Sequence, residues 1–286
     1  MLIATMFTGV GATSHAAEGS HSPAVADVIA DSLVDGGSAS SPAIRGIRAQ
    51  LGPVPPAPEI CRPGALIRGV DVGDQKLIAF SFDDGPWPVN TQAVMAIFEA
   101  RHLTTTFFMI GNNVRNYPEI ARDVVARGFE IGNHSQTHVY SPATIAAEIP
   151  IANETIRRAT GVTPKLFRSP GLTEGSNIQS ALAAQGMCNI FTTTDLGDWK
   201  SPRASSSTLC SRFLSGLHSG EIVLLHDGGS HSSTVNALTC MLDIAGQRGY
   251  TVVPVGTLLE SGYPYANSPA RRNAFDPIVG GAAPRE

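Results

Sequence analysis

The sequence predicts an α/β fold, with about seven parallel strands curled into a closed or nearly closed barrel and helices on the outside. Three observations predict it. Short apolar runs recur at Leu77–Phe82, Thr105–Ile110, Phe129–Asn133, Leu166–Arg168, Cys188–Thr193, Ile222–Leu225 and Tyr250–Val255. Helical patterns lie between them, and parallel neighbours require such crossovers. Asp83, Asp84, His134, Arg168, Asp195, Asp198 and His226 all fall at or just after the C-terminal ends of the runs. That is the barrel face on which active sites are built. A doubly wound open sheet also alternates in this way, but it would spread these groups along a crevice instead of ringing one pocket.

Each element has a local reason. Residues 1–17 open on an apolar stretch, Met1 to Phe7, and end in the small residues Ala16-Ala17, the pattern of a signal peptide without its basic start. Residues 18–66 are rich in Ala, Ser, Gly and Pro, including Gly52-Pro53-Val54-Pro55-Pro56, and read as a flexible extension with a short helix near Ala24–Leu33. The body spans 67–265 and a loose tail 266–286. Its first strand, Leu77–Phe82, is followed by the turn-forming pair Gly85-Pro86. Val94, Ile97 and Phe98 give Thr91–His102 an apolar face, and Ile120, Val124 and Val125 do so for Glu119–Arg127. Ser141-Pro142 starts a helix that Gly161 stops. Asn177–Gln185, Ser205–Leu217 and Thr234–Arg248 complete the set.

A chain of 286 residues can bury a sizeable core. Its net charge of −4 and lack of a dense basic cluster point away from nucleic acid, and no stretch has the length and apolarity of a transmembrane helix. A monomer is expected. Cys61, Cys188, Cys210 and Cys240 allow two bridges in three connectivities, Cys61 being placed to tether the extension; four buried thiols are the alternative. None forms a C-x-x-C pair, so a structural zinc or redox motif is not indicated. Together with the signal pattern, the cysteines place the chain outside the cytoplasm, secreted or in the cell envelope.

The chemistry concentrates in Ser81-Phe82-Asp83-Asp84-Gly85-Pro86 and His134-Ser135-Gln136-Thr137-His138. Carboxylates at the end of a buried strand need a partner. Asp84, His134 and His138 offer three ligands with an open position, the pattern of a catalytic divalent metal site. The same set suits a non-haem iron(II) oxygenase, which leaves Asp83 unexplained. Adjacent strand residues point to opposite faces, so a twist near Gly85-Pro86 must bring both aspartates to the metal. Asp83 reads as a general base, with a second ligand or a helix cap as alternatives. Arg168 needs an anion, which Asp83 supplies, and Pro170-Gly171 bends the chain to aim a backbone N–H into the pocket. A plain structural ion pair also fits Arg168. His226 ends an apolar strand; it is either packed core or a proton donor kept charged by an acid such as Asp198. Trp199 and Leu224 would wall a small apolar pocket. His15, His21, His102, His218 and His231 read as surface or loop residues.

In this order the segments resemble the five motifs of the polysaccharide deacetylase family, the NodB-homology group of carbohydrate esterase family 4. The resemblance covers about Gly69 to Gly262. It implies a distorted (β/α) barrel, a divalent metal (zinc most often), and removal of acetyl groups from N-acetylglucosamine-containing polysaccharide such as peptidoglycan or chitin. It also implies Asp83 as base and Asp84, His134 and His138 as ligands, with Arg168 orienting the base and His226 as general acid. Asp195–Trp199 is similar to the fourth motif. Gly171 departs from the family, which often has an aromatic residue there, so a side-chain wall is expected to be missing. Ser81 replaces a frequent threonine. O-deacetylation of a polymer such as acetylxylan, or an inactive wall-binding relative, are the alternatives.

Overall fold

A computed structural model of the protein describes residues 61–200 and 203–264. The expected signal peptide, the helix near Ala24–Leu33, most of the extension and the tail lie outside the described residues. The strands are β1 (Leu66–Ile67), β2 (Val70–Asp71), β3 (Leu77–Asp83), β4 (Thr106–Met109), β5 (Glu130–Asn133), β6 (Leu166–Phe167), β7 (Cys188–Ile190), β8 (Thr194–Asp195), β9 (Glu221–His226), β10 (Thr251–Val252) and β11 (Tyr263–Pro264). The helices are α1 (Asn90–Glu99), α2 (Gly111–Asn116), α3 (Pro118–Ala126), α4 (Pro142–Thr160), α5 (Ser176–Gln185), α6 (Ser206–Gly216), α7 (Ser232–Gln247) and α8 (Val255–Glu260).

Nine strands form one parallel sheet in the order β1-β7-β6-β5-β4-β3-β9-β8, with β10 pairing the start of β3. β2 and β11 make a separate antiparallel pair. All seven expected strands are present, but β1 and β8 are additional. The run expected as Cys188–Thr193 stops at Ile190, and the chain then crosses to pair β8 with β9 on the far side of β3. Thr192 makes that crossing tight: its hydroxyl accepts from the Thr194 N–H and donates to the Ile222 carbonyl. The Tyr250–Val255 run likewise ends early, since Val255 opens α8.

Strand alternation gives β3 and β9 two packed faces. Ile78, Phe80 and Phe82 of β3 and Val223 and Leu225 of β9 face the helices, packing on Val94 and Phe98 of α1, Phe213 of α6 and Met241 of α7. Ala79, Phe108, Cys188, Ile190 and Ile222 face inward with Leu258 and Leu259 of α8. On the inward register, Ala79 leads to Ser81 and Asp83, and Ile222 leads to Leu224 and His226. The same alternation that buries the helix-facing phenylalanines therefore delivers Asp83 and His226 to one mouth. They are direct neighbours in the β3–β9 register.

Two disulfides select one of the three connectivities: Cys61–Cys188 joins the segment before β1 to β7, and Cys210–Cys240 joins α6 to α7.

Candidate active site

Asp83 ends β3, His134 follows β5, Arg168 follows β6 and His226 ends β9, so neighbouring strand ends present all four groups. The twist that lets consecutive aspartates share the site lies at Asp84 itself, whose φ of 74° is in the left-handed region, just before the cis Gly85-Pro86 bond. Ser135 and His138 also have positive φ, 64° and 61°. Such conformations are unfavourable for residues with a Cβ and collect at functional sites. Gly85 is required by close approach, because a Cβ there would lie 2.8 Å from the Asp227 carboxyl carbon.

The loop carrying the two histidines is over-determined. Asn133 Oδ1 accepts from the Ser135 N–H at 2.8 Å, and Ser135 Oγ accepts from the His138 N–H at 3.1 Å. Glu148 of α4 accepts from the backbone N–H of Gln136 at 3.1 Å, that of Thr137 at 2.9 Å, and the Thr137 hydroxyl. No sequence signal had singled out Glu148.

One ligating atom from each of Asp84, His134 and His138 lies within 4.8 Å of the others. Asp84 Oδ1 is 3.5 Å from His134 Nε2 and 3.3 Å from His138 Nε2. The donor set fits a divalent cation on a specific ground. His134 Nδ1 donates to the Arg168 carbonyl at 2.7 Å. Burial lowers the His134 pKa, against the opposing charges of Asp83 and Asp84. The ring is therefore neutral with a bare Nε2 lone pair, which faces carboxylate oxygens of Asp84 and, at 3.6 Å, Asp83. Asp84 Oδ1 is buried without a hydrogen-bond partner. Lone pairs converging on an orphaned carboxylate oxygen are balanced by a cation, and a ligating histidine ordinarily donates its other N–H as His134 does.

Asp83 stands beside this group, held differently. Arg168, 0% exposed, donates from Nη1 to Asp83 Oδ1 at 2.8 Å and from Nε to the Ile190 carbonyl at 3.0 Å. Its guanidinium carbon lies 4.1 Å from the Phe108 ring centroid.

Asp198 grips His226 twice, with Oδ1 2.8 Å from Nδ1 and Oδ2 accepting from the backbone N–H at 2.9 Å. Thr234 donates to the same carboxylate at 2.7 Å. Burial lowers the His226 pKa, but the hydrogen bond and charge of Asp198, with Asp83 and Asp84 behind it, outweigh this and raise it to about 9. His226 is therefore cationic at neutral pH, with Nε2 carrying a transferable proton.

One expectation is corrected. His231, read as a surface or loop residue, is 6% exposed and stacks on His226 with ring centroids 5.4 Å apart. Arg203 lies 2.9 Å from its Nδ1. The Gly228-Gly229-Ser230 stretch before it carries only loop signals, so nothing local marks its burial. Asp227 is also buried, accepts from the Thr91 hydroxyl at 2.5 Å, and has its pKa raised to about 7, first by burial.

Of the expected pocket walls, Leu224 is buried on the inward face of β9, and Trp199 is half exposed with its indole N–H on Asp195. Gly171 lies in a 3-10 turn (Pro170–Leu172) at a φ of 58°. The space beside it is filled: a Cβ at Gly171 would lie 2.9 Å from both Cδ1 and Cε1 of Tyr140.

A curled parallel sheet with an Asp-His-His group that could hold a metal ion, and a further carboxylate at its C-terminal mouth, is the architecture of a candidate hydrolase site. The chain belongs to the polysaccharide deacetylase family, whose family model matches residues 71–190. It is 31% identical over 205 residues to a chitooligosaccharide deacetylase of Bradyrhizobium, covering 66% of this chain and 93% of that one. It is 33% identical over 194 residues to a peptidoglycan-N-acetylglucosamine deacetylase of Bacillus cereus, covering 65% and 89%. Among solved structures, a CE4 family pseudoenzyme from Bacillus anthracis matches with a TM-score of 0.64 at 25% identity, covering 70% of each chain.

Proposed function

We propose that the protein is a metal-dependent deacetylase that hydrolyses the acetamide of N-acetylglucosamine units in a polysaccharide, peptidoglycan or chitin-like, with zinc as the metal. The observation that carries this reading is the convergence of Asp84, His134 and His138 with Asp83 beside them, tied to Arg168 instead of lying in the three-residue group.

Asp84, His134 and His138 would hold the ion. Bound there, a divalent cation supplies Lewis-acid polarisation of the acetyl carbonyl and acidifies water. The steps fall to the protein's own groups. Arg168 fixes Asp83 Oδ1, which leaves Oδ2 to take the proton from the attacking water. The Gly171 N–H serves as donor to the oxyanion of the tetrahedral adduct. His226, charged by its contact with Asp198, gives its Nε2 proton to the amine as the C–N bond breaks. Acetate and a free amine result. Trp199 and Leu224 bound the acetyl pocket.

A purely wall-binding protein would have no use for a base and an acid held this way. O-deacetylation of acetylxylan remains the alternative substrate. The zinc-loaded protein, assayed for acetate release from chitin oligomers, peptidoglycan and acetylxylan, is expected to act first on the N-acetylated polymers. Release from acetylxylan alone would overturn the N-acetyl assignment, and release from none would overturn the enzymatic one.

Two disulfides suit an oxidising compartment. With residues 1–17 as a signal peptide, 18–66 as an extension, 67–265 as the catalytic domain and 266–286 as a tail, they support a secreted or envelope location; a monomer is proposed with it. No helix among the described residues is long and apolar enough to cross a membrane.

A further inference from the structure

Tyr140 is a large hydrophobic side chain left 62% exposed, yet its ring meets two neighbours. It meets the His138 ring edge-on, with centroids 5.3 Å apart and planes at 82°. The Gly171 backbone also lies beside the ring, where a Cβ would come within 2.9 Å of Cδ1 and Cε1. Gly171 is also in a left-handed conformation, at a φ of 58°, that strains any residue with a Cβ. His138 is itself fixed by its N–H to Ser135 Oγ at 3.1 Å and sits 3.3 Å from Asp84. An exposed apolar ring fixed one side chain away from the reacting centre is an unusual use of surface, since burial normally holds aromatics in place.

The geometry points to Tyr140 as a substrate-stacking residue that sets specificity. Its ring takes the apolar C–H face of one pyranose in the bound polysaccharide, and the missing side chain at Gly171 is what lets the ring lie there. A rigid aromatic with two torsions gives contact area at low entropic cost, and aromatic contacts of this kind are worth enough to be read as affinity. The inference rests on the polysaccharide reading above, and it names the surface that recognises the sugar and not the acetyl group.

The test compares the zinc-loaded wild type with Tyr140→Ala, Tyr140→Leu and Tyr140→Phe. Two readouts are taken for each: calorimetric affinity for the tetramer of N-acetylglucosamine, and kcat and KM for acetate release from it. Loss of the ring in the Ala and Leu variants is expected to weaken binding about tenfold, with the loss appearing mainly in KM, while Tyr140→Phe stays within about twofold. Leu retains apolar bulk, so a folding defect in the Ala variant does not obscure the result. The inference is overturned if Ala and Leu bind within about threefold of wild type, or if Phe loses as much as Ala, which would assign the effect to the hydroxyl. A wild type that binds the tetramer through Tyr140 but releases no acetate overturns the deacetylase reading and leaves the stacking role standing. A wild type that neither binds nor cleaves overturns both.

Discussion

His226 shows how much a site can draw from one carboxylate. Buried histidines normally lose their proton, but the Asp198 carboxylate, which accepts from Nδ1 and lies beside the ring as a charge, holds this one charged with a pKa of about 9, while its second oxygen accepts from the His226 backbone N–H. As the proposed general acid, His226 must be protonated to act, so kcat is expected to fall as pH rises through about 9. A cation at Asp84 opposes the share contributed by Asp83 and Asp84, which places that limb at or below this value. Asp198→Asn is expected to move the alkaline limb down by at least about one unit, towards the ordinary histidine value, as read from the pH profile of kcat. An unmoved limb would mean that another group is the acid. His226→Ala is expected to lower kcat by about 10²–10⁴-fold with KM little changed, in steady-state acetate release.

At the scale of elements, the His134–His138 loop is held by α4. Its positive-φ residues would relax without the Glu148 carboxylate, which takes three hydrogen bonds from Gln136 and Thr137. Glu148→Ala is expected to weaken zinc binding about 10–100-fold in a chelator competition titration, and to cost about 1.5–3 kcal/mol in a denaturant melt. Wild-type zinc affinity in this variant would show that the loop supports itself. The Cys210–Cys240 bridge ties α6 to α7, the helix whose Thr234 supports Asp198. Replacing both cysteines by serine is expected to lower unfolding free energy by about 2–4 kcal/mol, and a shift under 1 kcal/mol would contradict a stabilising role. These supports were hard to read from the chain. Glu148 lies on a helix where a glutamate is ordinary, and two of its three bonds come from backbone groups with no sequence signature. The C-terminal end of β7 was hidden for a similar reason, because Thr192 and Thr193 are β-branched and prolong a strand pattern that ends at Ile190.

The molecule as a whole places its chemistry by alternation along parallel strands. That much was legible: the apolar runs gave seven strands, and the reactive groups at their ends marked one mouth of the sheet. The pairings of Arg168 with Asp83 and of His226 with Asp198 were also legible, from charges that need partners, but contacts between uncharged loop residues were not. Tyr140 over Gly171 and His231 on His226 depend on how loops from different strands meet, which no period of 2 or 3.6 records. The two-residue strands β1 and β2 were missed because they are too short for alternation to show. The division of labour between adjacent aspartates follows from the same geometry: Asp83 keeps the inward strand register and meets Arg168, while the reversed φ of Asp84 turns it to the histidines. Its most direct test is zinc stoichiometry and acetate release measured side by side on Asp83→Asn and Asp84→Ala. The account predicts that Asp83→Asn retains one zinc per chain and loses turnover by about 10²–10⁴-fold, whereas Asp84→Ala loses the zinc. Asp83→Asn protein that either fails to hold zinc or turns over near the wild-type rate would contradict it.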